Sequence, residues 1–160
     1  MSVELVIREA APTDAEAICA ILTESELSVH AVLAAGTRYW LAQRADGEIT
    51  GAIGIEIGAR AVLLRSAAVR PDARGQGIGA ALLRRALNEA AAAGYRQAYL
   101  FSTDAGAYWS RQGFCEIAVP KLVAALPNVP QVRHYDQEGW LPDEVAWCKD
   151  LIEEHTDDRR

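Results

Sequence analysis

The stretch Arg74-Gly75-Gln76-Gly77-Ile78-Gly79 carries the clearest chemistry in this sequence. Three glycines alternate ahead of an alanine- and leucine-rich run with helical spacing, and a valine-bearing extended segment leads into them. The N–H groups that open a helix lack intrahelical partners, and the helix dipole adds positive potential there. Glycines let phosphate oxygens approach that backbone, and Arg74 places a cation beside it. The spacing therefore predicts an anion site. A plain connecting turn is the alternative, but three such glycines cost backbone entropy that a turn alone does not require.

Two phosphate ligands fit the pattern. Gly75, Gly77 and Ala80 satisfy G-x-G-x-x-A, a dinucleotide fingerprint, with Asp104 near the distance of a ribose-binding acid. Three observations oppose that reading. Arg70 to Arg74 separate the strand from the first glycine, an antiparallel meander precedes the loop, and the chain after Asp104 is too short for the remaining strands of such a domain.

The elements that must position this loop can be read in order. Leu5-Val6-Ile7 predicts a strand, and Pro12-Thr13-Asp14-Ala15-Glu16 a helix start, with Thr13 as cap and Glu16 closing a capping box. Ser28 to Ala35 reads as a second helix that stops at Gly36. Tyr39–Gln43, Ile49–Ile57 and Ala61–Val69 form a predicted antiparallel meander with turns at Asp46-Gly47 and Gly58-Ala59. The next helix runs to about Ala93 with Ile78, Leu82, Ala86 and Ala90 on one face. Tyr99–Phe101 is then a strand parallel to its predecessor, since a helix connects them. A short helix from Gly106 to Gln112 ends at Gly113, and Phe114 to Val119 is extended. Pro120 to Pro142 reads as irregular, before a last strand at Val145–Lys149. Residues 1–152 are expected to form one domain and 153–160 a charged, solvated tail.

Composition narrows the classes. The chain has 160 residues and a formal net charge of -6, with 16 Lys plus Arg against 22 Asp plus Glu, which argues against a nucleic-acid partner. No apolar run reaches the roughly 20 residues of a membrane span, and Met1-Ser2-Val3-Glu4 lacks the features of a signal peptide. Cys19, Cys115 and Cys148 form no CxxC pair and the three histidines show no ligand spacing, so neither a disulfide scaffold nor a metal site is expected. A cytoplasmic globular domain is the resulting expectation.

Val69-Arg70-Pro71 followed by Arg74-Gly75-Gln76-Gly77-Ile78-Gly79 resembles the V-x-P-x-x-R-G-x-G-x-G/A motif of the GNAT superfamily of acetyl-CoA-dependent N-acetyltransferases. The resemblance extends from Leu5 to Val119, including the Gly113-Phe114 pair. Gly51-Ala52-Ile53-Gly54-Ile55-Glu56 and Leu63-Leu64-Arg65-Ser66 are most similar to the small arsenic-resistance-associated acetyltransferases. The resemblance implies a single-domain α/β (α+β) fold, a twisted mixed sheet flanked by helices. It implies that Arg74 to Gly79 with Ala80 cradle the pyrophosphate of coenzyme A, and that Val69 offers backbone groups to the pantetheine arm and thioester. It also implies acetyl-CoA as co-substrate without a metal, a small amine acceptor, and a homodimer as a common assembly.

The sequence departs from the family where proton transfer is concerned. Leu63 stands where many GNAT enzymes carry a glutamate base, and Trp109 where they often carry a tyrosine acid. With a turn at Gly58-Ala59, Glu56 becomes a diagonal neighbour of Leu63, roughly 7–8 Å away. Glu56 is then either the base or a solvated glutamate near a hairpin end. Tyr108 is either the acid that protonates the thiolate or a core residue with Trp109 beside the cofactor. Arg65, with Ser66, is either a receptor for an acceptor carboxylate or half of a structural ion pair, since an unpaired buried charge is costly. Arg133, His134 and Tyr135 are candidates for the acceptor end. The reading is N-acetyl transfer from acetyl-CoA to a small amino-acid-like amine, with a non-catalytic acetyl-CoA sensor as alternative.

Overall fold

The computed structural model describes residues 5–151. The tail at 153–160 and the first four residues lie outside them. Seven strands form one mixed sheet in the order β1-β2-β3-β4-β5-β7-β6: β1 Leu5–Glu9, β2 Thr37–Arg44, β3 Ile49–Ile57, β4 Ala61–Val69, β5 Gln97–Phe101, β6 Cys115–Ile117 and β7 Ala146–Asp150. The helices are α1 Ala15–Glu24, α2 Ile78–Ala92, α3 Gly106–Arg111, α4 Val119–Ala125 and α5 Pro130–Glu138. This is the expected α/β fold with a mixed sheet flanked by helices. The chain separates into two compact units. Residues up to Ile55 with Arg65–Asn88 make the first, and Glu56–Leu64 with residues from Glu89 onward the second.

In the first unit β1 runs antiparallel to β2, Leu5 opposite Arg44 and Glu9 opposite Trp40. Ile18, Ile21 and Leu22 of α1 pack with Tyr39, Leu41, Ala52 and Ala68. Strand alternation and a helical stripe thus meet in one apolar cluster. The Asp46-Gly47 turn forms as expected: Gly47 has φ 93° and donates to the Arg44 carbonyl at 2.8 Å. Gly51 lets α2 sit close to β3, since a Cβ there would lie 3.0 Å from Leu82 Cδ1.

The entry to α1 differs from expectation. Asp14, not Glu16, closes the turn, accepting from the Ala11 N–H at 2.7 Å while its two oxygens each take a 2.9 Å bond from Arg8. Thr13 lies inside a short 3-10 turn, Pro12–Asp14, so its side chain cannot cap α1. Ser28 to Ala35 is not a helix. Ser28 Oγ accepts from the His30 N–H, and Glu26, Ala31 and Leu33 adopt left-handed backbone, which interrupts the i to i−4 ladder. Gly36 (φ 82°) therefore ends a turn rather than a helix.

In the second unit β4 and β5 pair in parallel, Ala61 to Leu63 beside Gln97 to Tyr99. β7 lies antiparallel to β5 on one side and to β6 on the other. The segment expected to be irregular contains α4 and α5. Pro120 and Pro130 sit in the first turns of these helices, where proline's missing N–H costs nothing, and Gly139 (φ 77°) stops α5. Leu122, Leu126, Val129 and Val132 bury against Ala61, Leu63 and Ala146.

Candidate functional site

The glycine loop lies in the first unit. Pro71–Ala73 forms a 3-10 turn after β4, and Ala73 is fully buried and anchors it, while Arg74 to Gly77 are exposed. Gly75 and Gly77 both have φ 80°, a conformation that L side chains enter at a cost of roughly 1–2 kcal/mol. The Gly77 carbonyl accepts from the Ala81 N–H at 3.1 Å, so the helix opens directly from the loop. Ile78, Leu82, Leu83, Ala86 and Ala90 bury the predicted face of α2. Gly79 is different from the other two. A Cβ there would meet only Val69 Cγ2, at an ordinary 3.7 Å, so the protein's own packing does not demand glycine. Gln76 is exposed and Ala80 half-buried beside it. Arg74 Nε donates to the Val69 carbonyl at 3.0 Å, tying the loop cation back to the end of β4.

Four residues earlier, β4 carries a polar chain within an apolar strand. Arg65 is buried, with Nε donating to Ser66 Oγ at 2.8 Å and a terminal N–H to the Ser28 carbonyl at 3.2 Å. Ser66 has φ 61°, a left-handed residue inside a strand, and its hydroxyl lies 3.1 Å from that of Tyr39. Such a conformation persists only where surroundings fix it. Tyr39 was not anticipated, yet one signal pointed to it: Gly54, isolated in β3. A Cβ at Gly54 would stand 2.5 Å from Tyr39 Cε2 and Cζ, so the glycine makes room for the ring.

The second unit holds the remaining candidates. Glu56 is fully buried, which rules out the solvated reading, and Oε1 accepts from the Gln131 N–H at 2.8 Å. Gln131 belongs to the first turn of α5, where unpaired N–H groups and the helix dipole favour a carboxylate. The hairpin register is also corrected. Gly58 N–H donates to the Ala61 carbonyl at 2.9 Å, so Ala59-Arg60 forms the tip, one residue later than expected. Continued along the strands, that register sets Glu56 opposite Leu63 rather than diagonal to it, and Gly54 rather than Ala52 opposite Arg65.

On α3, Tyr108 and Trp109 are both half-buried and meet edge to face at 4.9 Å. Trp109 also packs against Phe114 at 5.4 Å, after Gly113 (φ 92°) turns the chain out of the helix. His134 and Tyr135 of α5 form an aromatic cluster with Trp140, and Tyr135 lies 5.3 Å from Phe101. Arg133 is exposed on the same helix. The structure thus brings Arg65, Ser66 and Val69 to one strand with the glycine loop after them. It groups Glu56 with α5, and Tyr108 with Trp109. Among the described residues, no cluster of three or more His, Cys, Asp or Glu is placed to hold a metal, and no helix is long and apolar enough to cross a membrane.

Comparison with known proteins follows the same geometry. No curated protein matches the sequence. Among solved structures, the fold is similar to a GNAT-family acetyltransferase from Staphylococcus aureus, with 19% identity, a TM-score of 0.72, and 92% of this chain and 99% of that one covered. It is similar to an N-acetylglutamate synthase from Neisseria gonorrhoeae complexed with coenzyme A and N-acetyl-glutamate, at 20% identity and TM-score 0.71. That match covers 94% of this chain and 36% of the synthase. A PaiA N-acetyltransferase from Thermoplasma acidophilum, in complex with coenzyme A, matches at 15% identity and TM-score 0.64 over 94% of this chain and 99% of that one. These likenesses establish the fold. The family model for the acetyltransferase (GNAT) domain matches residues 35–116, a stretch that runs from β2 through the glycine loop to β6. By that match the chain belongs to the GNAT acetyltransferases, and its chemistry is acyl transfer.

Proposed function

We propose that this protein moves the acetyl group of acetyl-CoA to the primary amine of a small, amino-acid-like molecule by direct attack, without an acyl-enzyme. The observation that carries the cofactor assignment is the exposed Gly75–Gly77 loop opening α2, in which both glycines hold a left-handed backbone. Backbone N–H groups there and the Arg74 guanidinium suit a pyrophosphate. The coenzyme A complexes of the N. gonorrhoeae and T. acidophilum proteins support the same choice.

In the proposed reaction a neutral amine attacks the thioester carbonyl, and the resulting oxyanion needs a fixed donor. Val69, at the end of β4, is assigned to offer its N–H to that arm, a contribution of a few kcal/mol to the barrier. Glu56 is assigned the proton of the attacking ammonium. Its carboxylate is already oriented by the Gln131 N–H at 2.8 Å. Tyr108 is assigned the return of a proton to the coenzyme A thiolate, and Trp109 a place against the cofactor. For the acceptor we assign Arg65, steadied by Ser66, to a carboxylate or similar oxyanion. The N-acetyl-glutamate held by the N. gonorrhoeae synthase supports a carboxylate-bearing acceptor. Likeness to the small arsenic-resistance-associated acetyltransferases, a cytoplasmic location and a homodimer remain parts of this proposal.

A second reading has its own support. Leu63 and Trp109 replace the family's usual base and acid, which suits a protein that binds acetyl-CoA without turning it over. A thermal-shift titration with acetyl-CoA, beside NADH, tests the shared premise, because a ligand bound only by the folded state raises the melting temperature. The proposal expects a saturable shift with acetyl-CoA and none with NADH. A shift with NADH alone would overturn it.

A further inference from the structure

We propose that Cys115 and Cys148 form a reversible thiol–disulfide site across β6 and β7, oxidised by a low-molecular-weight disulfide of the glutathione type. The two residues are register partners in the antiparallel ladder, and neither is in a disulfide. Cys115 is exposed and Cys148 half-buried. Directly opposed residues on neighbouring strands project to the same face. The two sulfurs therefore share a face with Tyr99, the β5 partner of Cys148.

The backbone bonding fixes what kind of pair this is. Ser102 N–H donates to the Val145 carbonyl at 2.9 Å and Leu151 N–H to the Arg96 carbonyl at 2.8 Å. Hydrogen-bonded and non-hydrogen-bonded pairs alternate along an antiparallel ladder, so Tyr99–Cys148 is a non-hydrogen-bonded pair. The N–H and carbonyl of Cys148 must then face β6, which makes Cys115–Cys148 a hydrogen-bonded pair. Opposed Cβ atoms stand about 4.5–5.5 Å apart, wider at such pairs, whereas a disulfide needs about 3.5–4.5 Å. A small approach of the two strands closes the bond, and the strain it carries makes the disulfide easy to reduce.

The roles of the two sulfurs follow from their settings. Burial raises the pKa of the Cys148 thiol, the Tyr99 hydrogen bond and the Lys121 charge oppose that rise, and the Asp150 charge adds to it. The phenol of Tyr99 is pushed up to about 12 by burial beside the same thiol. Cys115, at the surface, attacks the small disulfide as its thiolate and releases one small thiol. Cys148 then loses its proton to solvent and attacks the Cys115 sulfur, displacing the second small thiol. Two protein thiols and one small disulfide thus give one protein disulfide and two small thiols.

The test uses the unaltered, folded chain with oxidised glutathione, counting thiols after denaturation and mapping unreduced peptides by mass. The expected result is a fall from three thiols to one, a single linked peptide pair holding Cys115 and Cys148, and full recovery with reduced glutathione. Cys148→Ser should trap glutathione on Cys115 without a cross-link. A stable glutathione adduct at Cys115 in the unaltered chain would overturn the proposal, as would a chain-to-chain Cys115 dimer, reaction confined to Cys19, or a cross-link that reduced glutathione cannot open. Because the first readout needs no variant, a folding defect in any mutant cannot obscure the answer.

Discussion

At Gly79 one methyl group probes fold and ligand together. A Cβ there meets nothing closer than 3.7 Å, and the residue lies in the first turn of α2. Gly79→Ala should raise stability by about 0.5–1 kcal/mol, since alanine loses less backbone entropy in a helix. The family motif takes glycine or alanine at this position, so acetyl-CoA affinity should stay within about threefold in a calorimetric titration. A tenfold loss would set the phosphate against Gly79 itself and contradict the fit to that motif. Glu56 allows fold and chemistry to be separated. Glu56→Gln keeps an acceptor for the Gln131 N–H but cannot take a proton, so the melting temperature should hold while turnover falls by about 10²-fold or more. Glu56→Ala should in addition lose about 1–3 kcal/mol, because the part-buried Gln131 N–H loses its acceptor. Equal turnover in Glu56→Gln and the parent would leave Glu56 a structural anchor for α5. The glycine loop was legible because alternating glycines at a helix start have few other uses. The burial of Glu56 was not, because it depends on α5, whose helix was not foreseen.

Among the elements, the junction of β1 and α1 shows how a cap can be moved by a distant side chain. Asp14 takes both the Ala11 N–H and a two-pronged contact from Arg8, and these hold its carboxyl below the ordinary 3.8, with the Arg8 contact first and the backbone bond adding to it. A lowered folded-state pKa stabilises above the unfolded value and is lost as pH falls through the folded one. Stability of the parent should therefore drop below about pH 4, and Asp14→Ala should lose about 1 kcal/mol at neutral pH and flatten that acid limb. An unchanged acid limb in urea titrations of Asp14→Ala would contradict this account. The misplaced elements share a cause. Pro120 and Pro130 read as punctuation, yet proline in a first turn begins a helix as readily as it ends one. Ser28 to Ala35 had helical composition, but local hydroxyl bonding and three left-handed residues between Glu26 and Leu33 redirected the backbone. By contrast β3 and β4 fell at their predicted bounds, since a hairpin's alternation and turn chemistry are both local.

Across the whole molecule, the sheet order was only partly legible. The meander and the parallel β4–β5 pair follow from neighbours in sequence, whereas β7 enters between β5 and β6, a long-range pairing that no local pattern encodes. Acyl transfer rests on the family match and the loop, while the acceptor and the proton path rest on Arg65, Glu56 and Tyr108. The most direct measurement of the account is thiol release from acetyl-CoA over a panel of amines with and without a carboxylate, run for the parent chain and for Arg65→Ala. The account predicts release that depends on amine, is strongest with a carboxylate-bearing amine, and shows an apparent KM for that amine raised at least tenfold by Arg65→Ala. Saturable acetyl-CoA binding with no release for any amine would contradict it and make the protein a sensor; release indifferent to the carboxylate and to Arg65 would contradict the acceptor assignment.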